Sequence, residues 1–234
     1  MASMFELLME LPLFRGVSHQ RLSKTVGESK FHFLKYPSGE TIIRAGSPCN
    51  HITFVISGSV RSTIENESGR FAVSQTLEAP TVITPEFLFG RTTEYPCTVE
   101  AIESTGILQI DKQDYLTILY SDQVFMFNYL NALAANAQKS MQGILSLTTG
   151  NIEERIAFWI SALTQHDGRD ITLSCAKRDL CSLFGVQRAT FETAISRMAE
   201  MGIVGYHDNK ELRITDRCAL LRLLRHNPED TVTP

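Results

Sequence analysis

No stretch of the 234-residue chain approaches the ~18 consecutive apolar residues that a membrane-spanning helix needs. The opening segment MASMFELLMELPLFRG carries acids inside its apolar run and has neither a basic leader nor a cleavage site, so a cytoplasmic protein without a membrane partner is expected. Cysteine is sparse and unpatterned. Cys49, Cys97, Cys175, Cys181 and Cys218 are odd in number and never spaced C-x-x-C, which excludes a disulfide framework or a zinc knuckle and predicts free thiols. Also missing are a Gly-rich phosphate loop, a G-x-S-x-G elbow and an H-E-x-x-H pair, while His32 and His51 look isolated. No catalytic residue and no metal site is predicted, and a cupin-like enzyme, which would need clustered histidines and carboxylates, is disfavoured.

What is present is an ordinary folded composition, 43% apolar and 21% charged, long enough for two modest domains. The net charge of −4 argues weakly against a nucleic-acid partner, but its distribution is uneven. Between residues 177 and 225 nine basic residues face six acidic ones, a local excess of three positive charges.

Two short apolar helices, near Phe5 to Met9 and Ser18 to Val26, precede β-rich runs at Thr41–Arg44, Ile52–Ile56, Val60–Ile64, Phe71–Val73 and Gly106–Ile110. Turn signals at Pro37-Ser-Gly39, Gly46-Ser-Pro48, Ser57-Gly58 and Glu67-Ser-Gly69 separate the early ones. Such short, closely spaced strands predict a small antiparallel sandwich or barrel rather than β-α-β units.

From about Asp122 glycine and proline vanish for some twenty residues, and small or apolar side chains recur at Met126, Leu130, Leu133, Ala137, Ser140, Ile144 and Leu147. The alternating steps of four and three predict a helix whose stripe faces a partner helix. Thr148-Thr-Gly150-Asn151 then breaks the pattern and is read as the hinge. Asn151 is placed to cap a following helix, with Glu153 and Glu154 in its first turn and a stripe at Ile152, Ile156, Trp159, Ile160 and Leu163 facing a core.

The segment from Lys177 to Met198 reads as two helices around a tight turn at Gly185. Leu180 and Phe184 are the expected core of the first helix, with Cys181 facing the second; Val186, Phe191, Ile195 and Met198 are the expected core of the second. That leaves Gln187, Arg188, Ala189, Glu192 and Thr193 exposed at its leading end. Arg pairs bidentately with guanine and Gln with adenine, so this end suits the major groove. A β-hairpin follows at Gly202–Tyr206 and Glu211–Ile214 with Lys210 at its tip, the layout of a winged helix-turn-helix. Lys210, and Lys177 at the start of the first helix, are placed to meet phosphates.

Over residues 12 to 225 the chain resembles the CRP/FNR family of bacterial transcription regulators. Lys35–Gly46 and Ile52–Val60 look like the family's glycine-punctuated β-roll, and Asp179-Leu-Cys-Ser-Leu-Phe-Gly-Val-Gln-Arg-Ala-Thr-Phe191 looks like its helix-turn-helix. The resemblance implies an α+β fold: an N-terminal double-stranded β-helix of the cyclic-nucleotide-binding type, a long dimerisation helix, and a C-terminal winged helix-turn-helix. The expected division is an effector-sensing domain over 1–121, a dimerisation helix and hinge over 122–150, and a DNA-binding domain over 151–234. The implied partners are a two-fold symmetric DNA operator, a second copy of the chain through Met126, Leu130, Leu133, Ala137 and Ile144, and RNA polymerase. Effector binding is expected to shift the shared helix and rotate the DNA-binding domains about the hinge.

The departures from the family pattern are informative. The family commonly reads bases with an Arg-Glu-x-x-x-Arg-like set; here only Arg188 matches, with Ala189 in the acidic position and Thr193 in the second basic one. Lys177, Gln187, Arg188, Ala189, Thr193 and Lys210 are therefore the expected DNA-binding residues, with Arg188 carrying most of the discrimination.

The stretch Pro85–Thr98 corresponds to the family's cyclic-nucleotide pocket, giving Glu86, Phe87, Arg91, Pro96, Cys97 and Thr98 as expected effector-pocket residues. Glu86 is placed to accept from a ribose hydroxyl. The family's phosphate-binding Arg, however, is replaced by Pro96, and a buried phosphate without a cation is costly. Cyclic AMP in the usual mode is therefore not expected, although Arg91 lies nearby. No cysteine precedes Cys49, which argues against an iron–sulfur cluster, and no histidine sits in a haem-ligating motif. The effector stays unidentified. An alternative reading is a metabolite- or cyclic-nucleotide-binding module whose C-terminal domain docks a protein; only DNA affinity should fall steeply with salt.

Overall fold

The computed structural model of the protein describes residues 4–146, 150–207 and 210–225. It divides into two compact units, Met1–Ile64 with Thr76–Ala137, and Glu65–Gln75 with Gln138–Pro234. The expected three-part division differs in two places. The long helix is itself split between the units, and the hairpin 65–75 clusters with the C-terminal unit although its flanking sequence is sensor-like. Of the expected hinge, Thr148 and Thr149 lie outside the described residues, as does Leu147 of the expected seam.

The first unit begins with α1 (Met4–Glu10) and α2 (His19–Glu28). Ser18 starts α2 by accepting from the Arg21 N–H, and Leu22 and Thr25 are buried beneath it. Along the chain there follow β1 (Phe31–Tyr36), β2 (Thr41–Ile43), β3 (His51–Ser57), β4 (Ser59–Glu65), β5 (Phe71–Glu78), β6 (Thr81–Ile83), a 3-10 turn over Pro85–Phe87, β7 (Thr98–Ala101) and β8 (Thr105–Asp111), with Glu65 of β4 and Phe71–Gln75 of β5 falling in the second unit. One antiparallel sheet has the order β1-β8-β3-β6, and β4 and β2 flank β7 in another.

Residues of both sheets feed one core. Ile52, Phe54, Val55 and Ile107 meet Ile43, Val60, Cys97 and Val99 in a single apolar cluster. The middle of β3 is buried on both faces, as an interior strand covered from either side must be, whereas β1, at a sheet edge, is largely exposed. Gly58 makes the β3–β4 turn at φ +78, where an added Cβ would lie 2.9 Å from the Ser104 carbonyl.

Asp111 leads into α3 (Lys112–Ser121), and α4 (Gln123–Ser146) follows. Asp122 sets the start of α4: its carboxylate accepts from the Val124 N–H at 2.8 Å and pairs with Arg21 at 2.9 Å. Phe125 and Tyr129 on α4 are buried. Phe14 packs edge-on against both Phe54 and Phe125, and Tyr129 against Tyr115, so aromatic side chains anchor the helices to the strands.

The second unit contains α5 (Ile152–Leu163), β9 (Arg169–Cys175), α6 (Lys177–Phe184), α7 (Arg188–Glu200), β10 (Val204–His207), β11 (Glu211–Ile214) and α8 (Arg217–Arg222). Asn151 caps α5 in a full capping box with Glu154, as its position in the sequence predicts. Trp159 is a core anchor, packed against Phe71 and Phe184. β10 pairs antiparallel with β11, and β11 antiparallel with β9, so the wing hairpin is extended by a third neighbouring strand. β9 has no counterpart among the expected strands, although its alternating burial of Ile171, Leu173 and Cys175 is a period-two pattern in the sequence.

Candidate nucleic-acid interface

α6 and α7 are fixed by what they bury. Leu180, Cys181 and Phe184 on α6 share a core with Phe191, Ala194, Ile195 and Met198 on α7, and Val186 in the turn is packed against it. Burying side chains of this size is worth roughly 1.5–3 kcal/mol each. Gly185 closes α6 in the left-handed region at φ +62 and donates to the carbonyls of Cys181 and Ser182. The chain then re-enters a helix at once, and Gln187, Arg188, Ala189, Thr190 and Thr193 are all exposed.

Their side chains are differently committed. Gln187 is the N-cap of α7 but makes no side-chain cap bond, so its amide is not spent on the helix end. The Arg188 side chain is 76% exposed, and its Nε donates to Glu192 Oε1 at 2.9 Å. That contact pulls the Glu192 carboxyl below its usual range, through the hydrogen bond first and the guanidinium charge besides. Thr193 donates its hydroxyl proton to the Ala189 carbonyl on its own helix at 2.9 Å, which leaves oxygen lone pairs and a methyl for any base.

Lys177 differs from expectation. Its ammonium lies 3.9 Å from Glu192 Oε1 and its side chain is only 22% exposed, so in this structure it is turned toward the recognition helix rather than held out toward a phosphate. Lys210 lies in the turn immediately before β11 and is exposed, with its carbonyl accepting from Cys175 N–H. Glu192, expected only to be exposed, is the acid that both Arg188 and Lys177 meet. Its signal was the i, i+4 spacing from Arg188.

The expected effector residues differ widely in exposure. Glu86 and Phe87 lie in the 3-10 turn, where Glu86 is exposed and accepts from Asn136 Nδ2 on α4 at 3.0 Å. Arg91 is exposed. Cys97 is fully buried in the barrel core beside Tyr95, which donates to the His51 carbonyl at 2.9 Å. Pro96 and Thr98 are half-buried, and Thr98 Oγ1 accepts from Ala45 N–H. Burial pushes the Cys97 thiol up, with the Glu86 charge adding to the effect, so Cys97 is a packing residue here and not an activated thiol. These residues fit a cyclic phosphate poorly, because the one cation among them is at the surface while the centre of the stretch is spent on the core.

Two further expectations are corrected. Met126 and Leu133, expected in the seam, are both partly buried against the barrel core rather than fully open. The exposed apolar stripe of α4 runs instead through Phe127, Leu130, Ala134, Ala137, Met141 and Ile144, retaining Leu130, Ala137 and Ile144 from the expected set. Its steps of three and four keep the coiled-coil period, with the stripe as a whole turned by about 50° because every second position shifts by one residue. Nor are His32 and His51 isolated. The β1-β8-β3 order brings their Nε2 atoms to the two oxygens of Asp111, at 3.7 Å and 2.8 Å. Among the described residues no group is arranged to hold a metal ion, and no helix is long and apolar enough to cross a membrane.

Comparison with known proteins agrees with this geometry. A model of the cyclic nucleotide-binding domain matches residues 33–122, and a model of the Crp-like helix-turn-helix domain matches residues 154–223. The cAMP-activated global transcriptional regulator CRP of Haemophilus influenzae is 21% identical over 183 residues, covering 75% of this chain and 81% of its own length. The cAMP-activated global transcriptional regulator Vfr of Pseudomonas aeruginosa is 22% identical over 183 residues, covering 74% and 85%. The crystal structure of the Thermus thermophilus catabolite activator protein aligns over 92% of this chain and 98% of its own, with a TM-score of 0.54 at 21% identity.

Proposed function

Because the chain belongs to the CRP/FNR family and is a DNA-binding transcription regulator, we propose that it acts as a homodimer joined along α4, presenting α7 twice to an operator of matching two-fold symmetry. The observation that carries this is the exposed stripe Phe127, Leu130, Ala134, Ala137, Met141 and Ile144. Phe127, Leu130, Met141 and Ile144 are each at least half exposed, an arrangement that an isolated helix in water leaves unpaid and a second copy would bury. A two-fold axis along this stripe pairs each residue with its own counterpart or a neighbour, and it sets two recognition helices against two half-sites.

Gln187, Arg188, Ala189 and Thr193 form the base-facing surface, with Arg188 supplying the guanine fork, while Lys210 and Lys177 add positive charge. The regulator recruits or excludes RNA polymerase in the cytoplasm and performs no catalysis. Its control is by a small effector, other than cyclic AMP held in the family's usual way, that favours one arrangement of α4 over another. The bonds from Asn136 and Tyr129 on α4 to the Glu86 turn support that route.

Sedimentation of the purified chain tests the assembly directly. A mass of twice 26.2 kDa, with one dimer bound per symmetric operator, is the expected result. A strictly monomeric species that binds a single half-site with full affinity would overturn it.

A further inference from the structure

The acid that the family pattern leads one to expect beside Arg188 is absent, since that position is Ala189. One helical turn further on, the structure supplies a carboxylate on the same face. Glu192 Oε1 accepts from Arg188 Nε at 2.9 Å and lies 3.9 Å from Lys177 Nζ. We propose that Glu192 is a second base-reading residue, which takes a hydrogen bond from the N4 amino group of a cytosine next to the guanine read by Arg188. The proposal rests on the assignment of α7 as the recognition helix.

Three observations support it. The Arg188 bond is made through Nε, so four N–H donors on the two terminal nitrogens remain for guanine O6 and N7, and Glu192 holds the fork while it reads. Both cations approach the same carboxylate oxygen, leaving Oε2 of a 44% exposed side chain as an acceptor at the surface. The carboxyl is held below its usual range by the Arg188 bond, so it is an anion at neutral pH and has no proton to offer a base acceptor.

An anion on a DNA-facing helix is repelled by phosphates and pays to lose its water unless a base donates to it. Cytosine N4 is the base donor in the major groove that a carboxylate typically takes. Residues 188 and 192 are separated by about 6 Å along the helix axis, comparable to one or two base steps at roughly 3.4 Å per step. The guanine and the cytosine therefore belong to neighbouring pairs of one half-site. Glu192 would thus supply at i+4 the acidic contact that Ala189 cannot.

The test is selection of bound duplexes from a random pool at low salt, using the full-length protein, Glu192→Gln and Glu192→Ala, with far-ultraviolet circular dichroism confirming that each is folded. Wild type is expected to enrich half-sites with a guanine and an adjacent cytosine. Glu192→Ala should keep the guanine and lose the cytosine, discriminating at that pair about tenfold less, while binding unrelated DNA more tightly. Glu192→Gln is the sharper variant, because glutamine prefers adenine and should move the enriched base from cytosine to adenine. If both variants enrich the wild-type half-site, Glu192 is only a surface ion-pair partner and the proposal fails while the DNA-reading helix stands. If wild type enriches no sequence, the recognition-helix assignment falls, and this proposal with it.

Discussion

The Tyr129 hydroxyl on α4 donates to the Pro85 carbonyl at 2.9 Å, tying the inner face of the long helix to the turn that carries Glu86. The opposite side of that helix is the exposed stripe. One helix therefore touches the stretch expected to form the effector pocket on one side and exposes apolar side chains on the other. A displacement of the turn has a direct mechanical path to the proposed dimer contact.

Removing that hydroxyl should loosen the link. Tyr129→Phe keeps the ring packing against Tyr115 and Phe89 and deletes one hydrogen bond, while the Pro85 carbonyl retains a 3.3 Å bond from Leu88 N–H. A loss of about 1 kcal/mol in unfolding free energy is expected by denaturant titration, a typical value for one hydrogen bond. An unchanged midpoint would show that the bond contributes nothing.

Substitutions on the two faces of α4 should separate assembly from folding. Leu130→Glu with Met141→Glu places charges in the exposed stripe and should give a folded monomer by sedimentation, with operator binding weakened at least tenfold. Leu133→Ala acts on the partly buried face and should lower stability by about 2 kcal/mol or more while leaving the assembly state unchanged. The reverse outcome would restore Met126 and Leu133 to the seam.

Arg188→Ala should reduce operator affinity by about 1–3 kcal/mol and flatten base preference at one position, measured by gel shift against single-base operator variants. Arg188→Lys keeps the charge but not the fork, and should recover affinity for unrelated DNA without recovering the preference. A mutant as selective as wild type would remove Arg188 from the reading set.

Cyclic AMP should leave the melting temperature unchanged even at millimolar concentration. A ligand present at 100 times its dissociation constant stabilises by about 2.7 kcal/mol, which scanning fluorimetry resolves easily. A clear upward shift would mean that Arg91 or another cation swings in to serve the phosphate.

The thiols offer a check on the core. Cys49, Cys97, Cys175 and Cys181 are buried and Cys218 is exposed, so a thiol reagent at neutral pH should modify one cysteine rapidly in the native protein and all five after unfolding. Burial raises the Cys49 and Cys97 thiols above their ordinary range, favouring the neutral form in the folded state. Their contribution is therefore fully present below the ordinary thiol pKa of about 8.5 and is lost as pH climbs through the raised values. Thermal stability should decline on the alkaline side, less steeply in Cys97→Ala, as read from melts between neutral pH and about pH 10.5.

By itself, the sequence determined what is local. The Gly185 turn, the Asn151 cap and the apolar spacing of Leu180, Phe184, Phe191 and Met198 each act within a few residues, so the helix-turn-helix and its exposed Arg188 could be read directly. Helix α4 was legible as a helix with a heptad, but not which heptad. Apolar residues lie on two of its faces, and only packing against the barrel decides that Met126 and Leu133 go inward while Phe127, Ala134 and Met141 stay outside. Strand order settled the rest: it carried His32 and His51 to one carboxylate and Cys97 into the core, since residues distant in sequence become neighbours only through sheet pairing. Local backbone chemistry writes elements into a chain, and the competition of their faces for a shared interior chooses which side chains are left for function.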